Sequence, residues 1–422
     1  MGTRTERSDD ACGPPRASSV ARAALNTDIG QGALCGCYRS AVPPPSSLES
    51  RHHVTVLDDP TLRRGDCPGV QRPFLEADGL LVRVRIPGGI VTTHQAAVLA
   101  GVAAEHGSGV IELTSRANVQ IRGVAPERHR LLVEELVAAG LAHADPDVDQ
   151  RRNVVASPTT GLDDGLIDIR PIVEQIVDEL MATDRSIDPK AGVLIDDGGR
   201  FSLRDRRHTV VLHAARLRSG EVVFRRADSD DVVDPIGAAR VAVDLIHGRA
   251  PVGLEQVRPD TFVAPAAAAG RPLGVFGRFV GVAPVLGRLD AETLARLADL
   301  AHDEVRFTPW RGIVLPGPEP VDIETLFRLG LIVSDDDPAA GVVACSGSRG
   351  CTEGRADTIG TALDLVDRLR RDRTRITVHV SGCEKRCASR ADHDLTLIAN
   401  TSGSFDAWPE DRATGSTTGA DG

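Results

Sequence analysis

An internal repeat constrains the fold of this chain more than any other feature. Leu81–Pro87 alternates apolar and basic residues, which predicts a strand, and apolar residues at helical spacing follow from about residue 93 to 105. Residues 111–123 then predict a strand, a loop and a second strand, and a further helix is predicted at 126–139. The first copy is therefore a strand-helix-strand-strand-helix unit.

The second copy has the same order of elements. They are predicted at 279–283, 290–301, 305–317 and 322–329. Thr114 aligns with Thr308, and Gly123 with Gly317, without a gap. Two such units are expected to pack about a pseudo-twofold axis and to offer paired loops to one ligand. A duplication without functional meaning is the alternative.

Strands and helices alternate in the rest of the ordered body, which predicts mixed α/β layers. Between the copies, helices are predicted at 171–183 and 235–247, and strands at 192–195 and 209–213. After the second copy, a strand, a helix and a strand are predicted at 341–344, 357–369 and 376–380. A cysteine loop follows each of these last two strands. Because loops at the carboxyl ends of strands form the usual ligand edge of an α/β layer, both loops are expected at one edge.

The two loops contain four cysteines, spaced Cys345-x5-Cys351 and Cys383-x3-Cys387. Four thiolates are the ligand set of a cubane iron–sulfur cluster, and the glycines of both loops let backbone N–H groups approach sulfur. Structural zinc sites favour pairs separated by two to four residues, so the first spacing fits zinc poorly although the second is allowed. Zinc and unligated thiols are the alternatives.

Composition argues against several classes of function. The net charge of −11 gives no support to nucleic-acid binding, and no run approaches the roughly 20 apolar residues of a membrane span. The first residues lack the apolar core of a secretion signal, which predicts a cytoplasmic protein with reduced cysteines. Residues 1–60, rich in Ser, Pro, Ala and Arg, and residues 403–422 are predicted to be disordered, and no role is expected for Cys12, Cys35 and Cys37.

Polar side chains in the first repeat indicate an anion site. Arg116, Asn118, Gln120 and Arg122 alternate along the chain, and alternate positions of an extended segment share a face. A solvated edge strand is the alternative. Lys190 points the same way, since only two of the 49 lysine and arginine residues are lysines. A lysine retained in such a background indicates a position that needs a compact ammonium, although chance would also explain it.

Together these motifs resemble those of the sulfite and nitrite reductases. The resemblance rests on the two cysteine pairs, the duplicated halves and the motifs at 114–120, 152–154 and 189–190, and it extends over nearly all of residues 65–400. Within that superfamily the chain is most similar to the precorrin-3B synthases, through residues 67–69, 77–89 and 308–312.

The resemblance implies an α+β fold with duplicated ferredoxin-like half-domains and α/β layers around a tetrapyrrole and iron–sulfur site. The implied half-domains are residues 65–145 and 271–332, with a tetrapyrrole-binding domain at 146–270 and an iron–sulfur domain at 333–402. Cys345, Cys351, Cys383 and Cys387 would hold a 4Fe-4S cluster.

The resemblance also implies a set of residues that bind the substrate. Arg116, Arg152 and Lys190 match cationic positions that hold tetrapyrrole carboxylates, for which charge-assisted hydrogen bonds are strong. Asn118, Gln120, Arg122, Arg311 and Arg386 complete the expected set. The chain departs from the reductases next to this lysine: Gly192 stands where they have a second basic residue, and Ala191 where they have a phenylalanine. This departure favours a tetrapyrrole substrate over sirohaem as cofactor.

The implied reaction is the hydroxylation of precorrin-3A at C20 by O2, with closure of a γ-lactone. It implies a non-haem iron beside the cluster, whose ligands the sequence does not locate among candidates such as His208, His213, His302 and His379. No dinucleotide fingerprint is present, so NADH-derived electrons are expected to arrive through a separate electron-donor protein. A sirohaem-dependent sulfite or nitrite reductase and a non-catalytic iron–sulfur protein are the alternatives.

Overall fold

A computed structural model describes residues 67–264, 270–319, 321–389 and 391–408. The predictions for residues 1–60 and for the end of the chain beyond residue 408 lie outside the described residues. Eight α-helices occur in the described part of the chain: α1 (Thr93–His106), α2 (His129–Ala138), α3 (Pro146–Gln150), α4 (Arg170–Ala182), α5 (Ala238–Ile246), α6 (Ala291–Leu300), α7 (Ile323–Arg328) and α8 (Thr358–Arg371). None of these helices is long and apolar enough to cross a membrane.

The first repeat forms most of an antiparallel five-stranded sheet. Its strands, in spatial order, are β1 (Phe74–Glu76), β2 (Gly79–Val84), β5 (Val119–Val124), β4 (Val110–Leu113) and β14 (Arg288–Asp290). The second repeat forms most of an equivalent sheet. Its strands are β12 (Gly274–Phe276), β13 (Phe279–Pro284), β16 (Ile313–Pro316), β15 (Glu304–Phe307) and β3 (Ile90–Thr92), and β17 (Leu331–Ile332) pairs with β13.

The two repeats exchange a strand. β3 comes from the first repeat but pairs with β15 of the second, and β14 comes from the second repeat but pairs with β4 of the first. A turn with positive φ precedes each exchanged strand, at Gly88 (φ 65°) and Leu286 (φ 59°). The exchange makes each sheet depend on both repeats.

Helices α1 and α6 pack between the two halves and begin at equivalent caps. Thr92 and Gln95 form a capping box, in which each backbone N–H donates to the other side chain over 3.1 Å. Asp290 caps α6 by accepting a hydrogen bond from the N–H of Thr293. Leu99 of α1 and Leu294 of α6 are fully buried in one core shared by both halves. Burial of each leucine contributes about 2 kcal/mol, so the shared core joins the halves firmly.

The third sheet mixes parallel and antiparallel strands. β6 (Val154–Ala156), β7 (Val193–Asp196) and β8 (Val210–Arg216) run parallel, and β9 (Val222–Arg226), β10 (Asp231–Val233) and β11 (Glu255–Gln256) continue the sheet antiparallel. Helices α4 and α5 cover one face and share its apolar core. The helix and strand predictions between the repeats are confirmed within about three residues at each end.

The fourth sheet carries the cysteine loops. β18 (Val342–Ala344), β19 (Val378–Ser381) and β20 (Leu395–Ala399) run parallel, α8 covers one face, and β21 (Phe405–Trp408) pairs antiparallel with β20. The predicted disordered tail therefore started too early, since its first residues form β21. The Gly, Ser, Thr and Asp content of the tail as a whole predicted disorder, but Phe405–Trp408 is stabilised by its ladder with β20.

Candidate tetrapyrrole and iron–sulfur site

Both cysteine loops lie at one edge of the fourth sheet. Cys345 follows β18 directly, and Cys383 lies two residues after β19, the neighbouring parallel strand. Both loops therefore leave the carboxyl ends of adjacent strands. None of the four cysteines forms a disulfide, and Cys387 is the most exposed of them.

Three glycines allow the loops to approach each other closely. A Cβ atom on Gly354 would lie 2.2 Å from the carbonyl carbon of Gly347, and one on Gly382 would lie 3.0 Å from Cα of Gly347. Gly347 itself has a φ of 57°, which favours glycine. The backbone N–H of Gly382 donates a hydrogen bond to Sγ of Cys345 over 3.1 Å. The loops thus bring backbone donors to sulfur, as a cluster site requires.

The electrostatics of Cys351 also indicate that its thiol lies near those of Cys345 and Cys383. Burial raises the pKa of the Cys351 thiol, and the charges of Glu76, Cys345 and Cys383 raise it further. Several thiolates can be held together here only if a cation offsets their repulsion. Cys345, Cys351 and Cys383, with Cys387 on the same loop as Cys383, therefore supply the four thiolates that a cubane cluster needs.

The third sheet repeats the backbone of this site without its cysteines. Val154-Val-Ala-Ser157 matches Val342-Val-Ala-Cys345. The N–H of Ser157 donates to the carbonyl of Ile195 over 3.2 Å, and the N–H of Cys345 donates to the carbonyl of Val380 over the same distance. The N–H of Asp197 donates to Oγ of Ser157 over 3.0 Å, as Gly382 does to Cys345. The duplication therefore extends beyond the half-domains to both α/β layers.

Arg122 connects the first sheet to the cysteine loops. Its guanidinium donates to both carboxylate oxygens of Asp78, over 2.8 and 2.9 Å, and also to the carbonyl of Gly350. Glu112 lies 3.5 Å away. Although burial acts to raise the pKa of Glu112, Arg288, Arg122, Ser346 and Arg311 lower it to about 2. Arg122 is thus occupied by internal ion pairs rather than free for a ligand.

A second group of arginines, Arg83, Arg85 and Arg152, has few hydrogen-bond partners and is called the arginine cluster below. Nη1 of Arg152 lies 3.6 Å from the Asp149 carboxylate, and Nη1 of Arg85 lies 4.0 Å from it. Burial, together with the charges of Arg85 and Arg116, lowers the pKa of Arg83 to about 10. Nε of Arg83, Nη1 of Arg85 and Nε of Arg152 are buried without a hydrogen-bond partner. Because buried donors are normally paired, these atoms point to an anionic ligand.

The Lys190 segment borders this group. Nη1 of Arg116 donates to the carbonyl of Lys190 over 3.3 Å, and the Lys190 side chain is exposed. Two residues further on, Gly192 packs against Asn153. A Cβ atom at position 192 would lie 2.4 Å from Nδ2 of Asn153, which donates to the carbonyl of Ala191 over 2.8 Å. Position 192 therefore has no room for a side chain in this arrangement.

The four polar residues of the first repeat do not share one face as expected. Residues 114–118 form a tight turn with positive φ at Ala117, so β5 begins only at Val119. Oδ1 of Asn118 is buried and accepts from the N–H of Ile86 over 2.9 Å. Gln120 lies on β5 opposite Arg83 of β2. Arg116 and Gln120 are therefore the members of this set that lie beside the arginine cluster.

Arg311 and Arg386 lie beside the cysteine loops instead. Arg311 occupies the second repeat's turn, with a φ of 59° like that of Ala117, and donates to the carbonyl of Ala388. Arg386 lies between Cys383 and Cys387 and is exposed. Both charges act on buried His379. The predicted substrate residues thus fall into two groups, one at the arginine cluster and one at the cysteines.

The repeats of this chain match a known family model. The model for the nitrite/sulfite reductase ferredoxin-like half domain matches residues 74–139 and 276–329, which are the two copies. Both half-domains belong to this family.

Relatives of the nitrite/sulfite reductase type match most of the chain. It is 26% identical over 383 residues to a precorrin-3B synthase from Sinorhizobium sp, covering 81% of this chain and 82% of that protein. It is also 26% identical over 390 residues to a ferredoxin–nitrite reductase from Synechococcus elongatus, covering 75% and 76%. The structure of the Mycobacterium tuberculosis NirA protein superposes with a TM-score of 0.60 at 21% identity, covering 76% of this chain and 71% of that one. This last match shows a common fold.

Several residues at the site of this protein could not be predicted from its sequence. In the sequence, Arg83 and Arg85 indicate only the basic positions of a strand, although their alternation places both on the face opposite the apolar core. Arg206, whose guanidinium lies 5.2 Å from the centre of the Trp310 ring, gave no sequence signal. Such contacts depend on how the sheets pack.

The histidines considered for a second iron do not form a ligand set. Across the described ranges, the one group of at least three suitable side chains whose ligand atoms all lie within 4.8 Å of one another is Glu105, His106 and Glu135, on helices α1 and α2. Nδ1 of His213 lies 3.2 Å from the carboxylate of Asp196, within hydrogen-bond distance. His302 is exposed and pairs with Asp303. The ligands of a second iron therefore stay unassigned.

Proposed function

We propose that this protein is an oxygen-dependent monooxygenase that converts precorrin-3A into precorrin-3B by C20 hydroxylation and γ-lactone formation. The observation that carries the choice is Gly192, which packs against Asn153 and leaves no space for a second cation beside Lys190. A pocket with one lysine there is less suited to a small reducible anion than to a large polycarboxylate. The similarity to a precorrin-3B synthase over 81% of the chain supports the same choice.

The arginine cluster would bind the carboxylates of the macrocycle. Arg85, Arg116 and Arg152 present guanidinium groups whose internal partners are few, and Asp149 is the carboxylate between two of them. Lys190 borders the group from the exposed side. Several fixed charge-assisted contacts would orient a rigid macrocycle and remove much of the entropic barrier to reaction.

The cysteines would hold a 4Fe-4S cluster that passes electrons one at a time. A separate protein would deliver electrons derived from NADH, and a non-haem iron would supply the oxygen chemistry. The roles of the chain itself are to place the macrocycle beside the cluster and to shield it. Arg311 and Arg386, which lie next to the cysteine loops, would bind carboxylates on that side.

A sirohaem-dependent sulfite or nitrite reductase is the second candidate. The observation in its favour is that this chain, which carries the arginine cluster and the cysteine edge, is also 26% identical to a ferredoxin–nitrite reductase. In that case the purified protein would contain stoichiometric sirohaem with strong visible bands. A fully iron-loaded protein without those bands would exclude it.

The test is turnover of precorrin-3A by anaerobically reconstituted protein supplied with a chemical reductant and then with O2. We expect a hydroxylactone product that contains one atom of labelled dioxygen, detected by mass spectrometry. Arg152→Gln is expected to reduce turnover at least tenfold. Arg278→Gln, at an exposed arginine in the turn between β12 and β13, is the control and should retain wild-type turnover. Absence of the product from cluster-loaded wild-type protein would contradict the proposal.

A further inference from the structure

His208 lies beside the arginine cluster and has no role in the function described so far. It precedes β8 by two residues, and both of its ring nitrogens are buried without a hydrogen-bond partner among the described residues. A buried imidazole ordinarily pairs at least one nitrogen. Two unpaired nitrogens in a pocket therefore indicate a ligand.

The charged groups that act on the ring are both cations. Arg116 faces it from the turn between β4 and β5, and Arg206 from the loop before β8. Burial, followed by the charges of Arg116 and Arg206, lowers the pKa of His208 to about 4. No carboxylate in the described part of the chain offsets them, so the free protein holds a neutral imidazole near neutral pH. The same two cations disfavour a divalent metal at this ring.

A polycarboxylate would reverse this electrostatic environment. Carboxylates paired with Arg116 and Arg206 would cancel the charges that repel an imidazolium, and a further carboxylate oxygen could accept a hydrogen bond from the ring. We propose that His208 contacts the bound macrocycle and takes up one proton from solvent when that ligand binds. This inference rests on the proposed tetrapyrrole function and adds a proton-linked contact to it.

The linkage has a definite sign. If binding raises the pKa of His208 from about 4 toward or above its ordinary value of 6.5, the complex holds more protons than the free partners between those values. The contribution of His208 to affinity must then increase as the pH falls from about 7 to about 5. A histidine that only packs against the pocket wall would show no such dependence.

Proton uptake can be measured by titration calorimetry in buffers of different ionisation enthalpy. We would use uroporphyrin III as a stable eight-carboxylate probe, at pH 6, where its carboxylates are essentially ionised. The cluster-loaded wild-type protein is expected to take up about 0.5–1 proton per ligand more than the His208→Gln variant. His302→Gln, which alters an exposed histidine, is the matched control and should behave like wild type.

Equal proton uptake by wild-type protein and His208→Gln, with uroporphyrin III bound by both, would overturn this inference and leave the proposed function intact. Failure of the wild-type protein to bind uroporphyrin III would overturn both. A second readout needs no ligand: in Arg206→Gln, the pKa of His208 followed by NMR should rise by at least half a unit. An unchanged value would show that Arg206 does not set the protonation state of this ring.

Discussion

Gly382 donates its backbone N–H to Sγ of Cys345 over 3.1 Å. The equivalent contact in the third sheet joins Asp197 to Oγ of Ser157 over 3.0 Å. The same backbone arrangement therefore exists with and without cysteines. In the third sheet the loops are joined by hydrogen bonds to buried Asp196, which accepts from Ser157 and Ser202. In the fourth sheet the cysteine ligands would take over that role, so the cluster is expected to stabilise the fold as well as carry electrons.

Gly354→Ala tests the close approach of the cysteine loops. The added Cβ would lie 2.2 Å from the carbonyl carbon of Gly347, so the two loops must separate. We expect a loss of about 2 kcal/mol in the free energy of unfolding and a several-fold faster loss of iron, measured by urea denaturation and by visible absorption.

Gly101→Ala is the matched control, because a Cβ at this position in α1 meets no atom within 4 Å. It should leave iron retention unchanged and stabilise the helix slightly. Equal iron retention in the two variants would show that the glycine contacts do not support the cluster site.

Arg122→Gln tests the connection between the first sheet and the cysteine loops. The change leaves the Asp78 carboxylate without its buried guanidinium partner and removes one of the two arginines paired with Glu112, the other being Arg288. We expect a loss of about 3 kcal/mol in the free energy of unfolding, measured by urea denaturation. Arg130→Gln removes an exposed ion pair within α2 and should cost less than about 0.5 kcal/mol. Arg122 would be a ligand residue instead if its loss weakened uroporphyrin binding without lowering stability.

The turn at residues 114–118 shows how far the sequence predicts the site. The alignment of Thr114 with Thr308 is confirmed in detail, since Oγ1 of each threonine accepts a hydrogen bond from the N–H four residues later, over 3.0 Å. The period-two interpretation of the same segment is wrong, because a positive φ at Ala117 reverses the chain within it. Side-chain alternation describes extended backbone only, and a single left-handed residue invalidates it.

The duplication that relates the third sheet to the fourth could not be predicted, for a different reason. Val154-Val-Ala-Ser157 and Val342-Val-Ala-Cys345 share their first three residues, but so short a match in buried strands carries little information. The match becomes decisive only through the hydrogen bonds that the two segments share. By contrast, the cysteine edge could be predicted, because each loop directly follows a predicted strand. The partners of Arg83, Arg85 and His208 could not, since they come from segments distant in the chain.

Gly192→Lys tests whether the missing second cation can be restored. The new side chain would displace Asn153 and break its hydrogen bond to the carbonyl of Ala191. We expect a loss of about 2 kcal/mol in stability and no gain of sulfite or nitrite reduction, measured with reduced methyl viologen. Gly277→Lys is the control, since a Cβ at that position meets no atom within 4 Å. Reductase activity in Gly192→Lys would favour the sirohaem candidate.

Asp197→Asn tests the buried acidic counterpart of the cysteine site. Burial, the largest cause, and the charges of Asp196 and Asp163 raise the pKa of Asp197 to about 7, although the N–H of Gly199 acts to lower it. Because the folded-state pKa lies above the unfolded value of about 3.9, folding is favoured at low pH and this contribution is lost as the pH rises through 7. Asn carries no charge at either end of this range. The free energy of unfolding of the variant minus that of wild type should therefore be a few kcal/mol higher at pH 8 than at pH 5. Urea denaturation at both pH values measures it. Asp164→Asn, at a neighbouring exposed carboxylate bound to Arg200, should show no such increase. A pH-independent difference between wild type and Asp197→Asn would mean that Asp197 is ionised in the folded protein and paired with a cation.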